Sequence, residues 1–132
     1  MLLKSYLLSV LQVESTSARF LVNGWLIPDD AERNSAKRFL ALDIDRSKKG
    51  VSCDLDQVPE VFDQFLDLGL KYLTGKRYDL TIEVFLPLDY LHEAVDKWEI
   101  LDLGKKVSIG TRHRVLVRTS DRLKPKYLRQ RH

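Results

Sequence analysis

One cysteine, one methionine, three histidines and four prolines are all that this 132-residue chain holds of those residues, and each scarcity closes off a class of protein. With Cys53 as the single thiol, no internal disulfide can form and no cysteine-built metal site exists. That suits a reducing compartment, and the expected location is the cytoplasm. Cys53 reads as a spectator in a loop, with His92 the partner that a reactive thiol would need. No apolar run approaches the roughly 18 residues that would span a bilayer, so no membrane role is expected. The opening MLLKSYLLSV is apolar, but it lacks a basic start and a small-residue cleavage site. Ser5 and Ser9 interrupt it, which favours a strand over a signal peptide. No glycine-rich loop opens a helix, so the phosphate cradles of nucleotide-binding proteins are missing. His92, His113 and His132 are scattered without metal-ligand spacing, and His113 sits between Arg112 and Arg114. No cofactor is expected. There are no repeats and no low-complexity segment.

What remains is an ordinary globular composition, 44% hydrophobic and 31% charged, enough for one core and hardly for two. The charge is unevenly laid out. Residues 1–100 carry 12 Lys/Arg against 17 Asp/Glu, while residues 101–132 carry 10 against 2. A positive segment of that kind marks either an acidic or nucleic-acid partner or a counterweight to the chain's own acidic part.

Tyr6 to Val13 is nearly all apolar, as a strand buried on both faces would be. Glu14 to Ser17 is a hairpin-length break. In the next strand Phe20, Val22 and Leu26 share one face and Leu21, Trp25 and Ile27 the other. Asn23-Gly24 inside it signals a bulge or a close backbone approach. Pro28 ends the strand, a polar loop runs to Lys37, and a third strand spans Phe39 to Ile44, closing an antiparallel meander. Asp45 to Gly50 is an exposed turn. The clearest helix spans Gln57 to Thr74, with Asp56 as N-cap, Pro59 in the first turn and Gly75 as its stop. Val58, Phe62, Phe65, Leu66, Gly69 and Leu73 recur at helical spacing. Glu60, Asp63 and Asp67 line the outer side as a solvated acidic stripe, a docking surface being the alternative. Tyr78 to Leu86 is a fourth strand, Leu88 to Lys97 a short second helix, Gly104 to Gly110 a loop, and Arg114 to Thr119 the last strand. The expected fold is α+β: an antiparallel or mixed sheet of about five strands with one main helix packed on it. The domain covers residues 1–123, and residues 124–132 form a basic tail.

Two charged residues interrupt apolar strands. Glu83 lies in the middle of its strand, and a buried carboxylate is costly unless paired or hydrogen-bonded. Arg118 is similarly embedded. If their strands are neighbours the two form a partly buried ion pair; otherwise Glu83, Arg118 and Arg122 line a groove for a partner's charged group. A nuclease-like carboxylate set of Glu83 with Asp43 or Asp45 is the weakest reading. Trp25 and Trp98 are core residues or interface anchors. A nucleic-acid surface would draw on Lys105, Lys106, Arg112, Lys124, Lys126, Arg129 and Arg131, with only Tyr127 in the tail to stack on bases.

The run Leu80-Thr-Ile-Glu-Val-Phe-Leu-Pro87, then Leu88-Asp-Tyr-Leu91 and Val95-Asp-Lys-Trp98, followed by Gly110 and Arg114-Val-Leu-Val-Arg-Thr-Ser-Asp-Arg122, resembles the C-terminal domain of vWA-MoxR-associated proteins, VMAP-C. Tyr6 to Val10 and Phe20 to Leu26 stand where that family has its opening strands, so the resemblance spans about Tyr6 to Arg122. It implies a bacterial conflict or signalling system containing a vWA protein, a MoxR-type AAA+ ATPase and protease-like effectors. The domain itself would be a regulatory adaptor without catalysis. Glu83, Trp98, Arg118 and Arg122 are then the partner-binding candidates. Such domains end longer polypeptides. This chain starts at its first strand and stops soon after Arg122, as an excised domain, a fragment or a short relative would.

Overall fold

The computed structural model describes residues 2–14, 19–44 and 50–120. Strand β1 (Leu3–Val13) is apolar on both faces because both are covered. Leu7 and Leu11 turn to one side and Leu8 and Val10 to the other, none more than 4% exposed. Strand β2 (Phe20–Ile27) pairs antiparallel with it, from Tyr6 opposite Ile27 to Val13 opposite Phe20. The register runs unbroken through Asn23 and Gly24, so of the two readings of that pair the close approach is correct. A Cβ at Gly24 would lie 2.7 Å from the Phe65 ring.

The third expected strand is shorter than Phe39 to Ile44 and has a companion. Strand β3 (Leu40–Leu42) takes the Gly24–Leu26 half of β2, and β4 (Val51–Cys53) takes the Phe20–Val22 half. Three residues show too little alternation to announce a strand. A four-residue helix, α1 (Ser35–Arg38), sits inside the expected polar loop. Its Arg38 is 6% exposed and bonds the Asp30 carboxylate at 2.9 Å.

Helix α2 (Val58–Leu73) lies across one face of the sheet with Phe62, Phe65, Leu66, Gly69 and Leu73 buried. Its start differs from the expectation. Gln57, not Asp56, stands at the N-cap, because a 3₁₀ turn over Leu55–Gln57 precedes the helix. The Gln57 amide oxygen accepts the Asp54 N–H at 3.0 Å. Gly75 closes the helix at φ +80°, a left-handed conformation that suits glycine. Strand β5 (Tyr78–Leu86) runs parallel to β1, and β8 (Arg114–Thr119) runs parallel to β5. The sheet is therefore mixed, six-stranded, in the order β3/β4, β2, β1, β5, β8. The α+β class stands.

Two expectations on the connection from β5 to β8 are overturned. Leu88 to Lys97 is no helix but two 3₁₀ turns, Leu88–Tyr90 and Val95–Lys97. Within it Leu88 and Leu91 are exposed and only Val95 is buried, so a helix there would have no face to bury. Gly104 to Gly110 is no simple loop. Strands β6 (Glu99–Asp102) and β7 (Lys105–Ser108) form a separate hairpin, turning through Leu103 and Gly104. Both turn residues have positive φ, 52° and 80°, as a type I′ turn requires. A leucine where asparagine or aspartate usually sits is why the sequence hid it.

Candidate interaction surface

Residue alternation places Leu80, Ile82, Val84 and Leu86 of β5 against α2 and turns Thr81, Glu83 and Phe85 to the opposite face. Glu83 is opposite Leu116 in the β5–β8 register, and Arg118 stands two residues further along the same face. Arg118 Nε donates to Glu83 Oε1 at 2.8 Å. The Glu83 side chain is completely buried, while that of Arg118 keeps 32% exposure. The ion pair that sequence anticipated for neighbouring strands is thus formed, and it joins β8 to the sheet.

Trp98 lies elsewhere, on the α2 side. Its ring meets Phe62 edge-on, centroids 6.0 Å apart. Trp98 O accepts the Ile109 N–H at 2.8 Å, which starts the β6–β7 hairpin. Between the first turns of α2 and this hairpin runs an open groove of about 610 Å³. Asp56, Pro59, Glu60 and Asp63 form one wall; Lys97, Trp98, Glu99, Leu101 and Lys106 form the other. Asp63 Oδ2 accepts the Leu101 N–H at 3.3 Å, tying hairpin to helix. Burial pushes the Asp63 carboxyl above the usual carboxylate range; the Leu101 N–H draws it down and Asp67 adds to the rise.

The basic candidates are dispersed. Lys105 and Lys106 are exposed on β7, but Lys106 shares the groove with four carboxylates. Arg112 Nε is held by Asp102 Oδ2 at 2.6 Å. His113 is half-buried beside this pair. Burial lowers its pKa, Asp102 opposes that, and Arg112 reinforces it. Arg122, Lys124, Lys126, Arg129 and Arg131 lie outside the described residues, as does Asp45. Asp43 is exposed and borders a separate cavity with Trp25 and Phe65. Among the described residues no three His, Cys, Asp or Glu side chains converge as a metal site. Cys53 is buried in the main core, and burial foremost raises its pKa. His92 is exposed beside Glu93.

Of the anticipated residues, then, the structure unites Glu83 with Arg118 and sets Trp98 and Lys106 in a groove of their own. The acidic wall was visible in outline as the outer stripe of the helix. The opposing wall was not, because its hairpin was hidden.

Together these features define a small mixed-sheet α+β domain with one helix on its face and an open tryptophan-walled groove at the helix start. Among the described residues no helix is long and apolar enough to cross a membrane. The chain belongs to the vWA-MoxR associated protein C-terminal domain family, VMAP-C, whose profile it matches over residues 18–132. The family name ties the domain to vWA–MoxR systems. No curated protein and no solved structure matches it.

Proposed function

We propose that this domain is a non-catalytic protein-interaction module of a bacterial conflict or signalling system, coupling a protease-like effector to vWA and MoxR-type ATPase partners. The observation that carries this reading is the placement of Trp98. It stands at an open groove with its ring only partly covered, the setting in which aromatic residues anchor interfaces. Membership of a family named for its association with vWA and MoxR proteins supports the choice of partners. Glu83 is engaged by Arg118 and fully buried, which favours a structural over a hydrolytic use of that carboxylate.

The test is affinity capture of the tagged domain from nuclease-treated native lysate, read by mass spectrometry. An AAA+ ATPase, a vWA protein or a protease is the expected catch, lost with Trp98→Leu in a variant that still melts cooperatively above the capture temperature. Capture seen only when the nuclease treatment is omitted would replace this reading with nucleic-acid binding through the basic C-terminal region. Affinity for DNA or RNA falling steeply with salt would say the same.

A further inference from the structure

Taking the interaction-module reading as its basis, we infer that the groove between α2 and the β6–β7 hairpin receives a lysine- or arginine-bearing segment of a partner protein. The groove, at about 610 Å³, is in the size range of ligand clefts and is open to solvent. Its charge is one-sided: Asp56, Glu60, Asp63 and Glu99 outnumber Lys97 and Lys106. Four carboxylates outside the groove are ion-paired, Asp30 with Arg38, Asp54 with Arg19, Asp102 with Arg112 and Glu83 with Arg118. Among the described residues none of the four groove carboxylates enters an ion pair.

Asp63 is the deepest of the unmatched group. Partly desolvated and close to Asp67, it is held by one backbone N–H. A cation entering the groove relieves that penalty, and the gain is greater there than at an open surface because less water screens it. The apolar part of the wall fits the same occupant. Trp98 lines the groove, and an aromatic ring there suits an alkyl stem or guanidinium. Leu101 is 60% exposed on the groove. An anionic partner, phosphodiester backbones included, meets the opposite field at this place.

A fluorescein-labelled dodecapeptide of alternating lysine and valine is the probe, with its glutamate–valine counterpart as the control. Anisotropy titration at 0.1 M salt should show saturable binding of the lysine peptide alone. Asp56→Asn with Glu60→Gln should weaken it roughly five- to tenfold, two partly screened pairs' worth. The same charge change made away from the groove, Asp79→Asn with Asp89→Asn, should leave affinity within about twofold. Equal losses in the two double variants, or none in the first, overturn the inference. So does a dimer in sedimentation velocity that Glu60→Gln dissolves, since the occupant is then a second copy of the chain. The lysate capture separates this idea from its basis. If the groove double variant still retains every protein that the wild type retains, the groove assignment falls and the module reading stands. If the wild type retains no protein, the module reading falls.

Discussion

Glu83 lies in β5, the strand with a parallel neighbour on either side, and it has no exposed surface. A carboxylate there depends on its cation. Arg118→Ala removes the guanidinium, leaves the charge in place, and should cost about 3 kcal/mol by urea denaturation. Glu83→Met combined with Arg118→Met should be less destabilising than the sum of the two single changes, a coupling that the double-mutant cycle reads directly. Additive losses would mean that the 2.8 Å contact contributes little. Asp63 differs because its carboxyl is raised by burial above its ordinary value. Between that value and its folded one, the folded chain binds more proton than the unfolded chain. Its contribution to stability is therefore present at low pH and is lost as pH rises through the folded value. Asp63→Asn keeps an acceptor for the Leu101 N–H and removes the charge. It should raise the melting temperature at pH 7 by about 1–2 °C, a discounted figure for a partly exposed group, and the gain should shrink as pH falls and vanish below the ordinary carboxyl value of 3.8. A gain that stayed undiminished as pH falls would refute the electrostatic cause.

At the scale of elements, the β6–β7 hairpin is the feature most at odds with local preference. Leu103 holds φ 52° and is almost wholly exposed, so it bears left-handed strain without gaining burial. Leu103→Gly or Leu103→Asn should stabilise the domain by about 1 kcal/mol, a rise of a few degrees in melting temperature. A loss of stability would show that the leucine packs in solution. This hairpin also marks the limit of what was legible in the sequence. The apolar β1, the Phe–Leu stripe of α2, Gly75 as its stop and the alternation of β5 could all be read, because each element buries a long regular face. The Glu83–Arg118 pair was legible as a condition, since two charges in apolar strands are tolerated only together. The hairpin was not, because its turn uses leucine where asparagine or aspartate would signal it. Leu88 to Lys97 misled in the opposite sense, since helical composition without a face to bury yields 3₁₀ turns. The groove has one wall from each class, so only its acidic half could be foreseen.

At the scale of the whole molecule, the decisive feature is where the first strand ends up. β1 is the earliest element in the chain, yet it lies between β2 and β5 and joins the antiparallel part of the sheet to the parallel part. The family match starts at residue 18, beyond β1. If the matched segment were a folding unit, residues 18–132 would fold alone. The sheet order argues that they do not. Without β1 the ladders of β2 and β5 each lose a partner, and Leu7, Leu8, Val10 and Leu11 leave both cores. Burying four such side chains is worth roughly 8 kcal/mol, comparable with the whole stability of a domain this size. The 18–132 fragment should therefore show no cooperative thermal transition and collapsed amide dispersion in a ¹H–¹⁵N spectrum. Adding a synthetic peptide of residues 1–14 in excess should restore both, because the strand supplies register as well as apolar area. A fragment that melts cooperatively alone would mean that β2 and β5 can close on each other, and that the β1-centred sheet is one of two arrangements open to this chain.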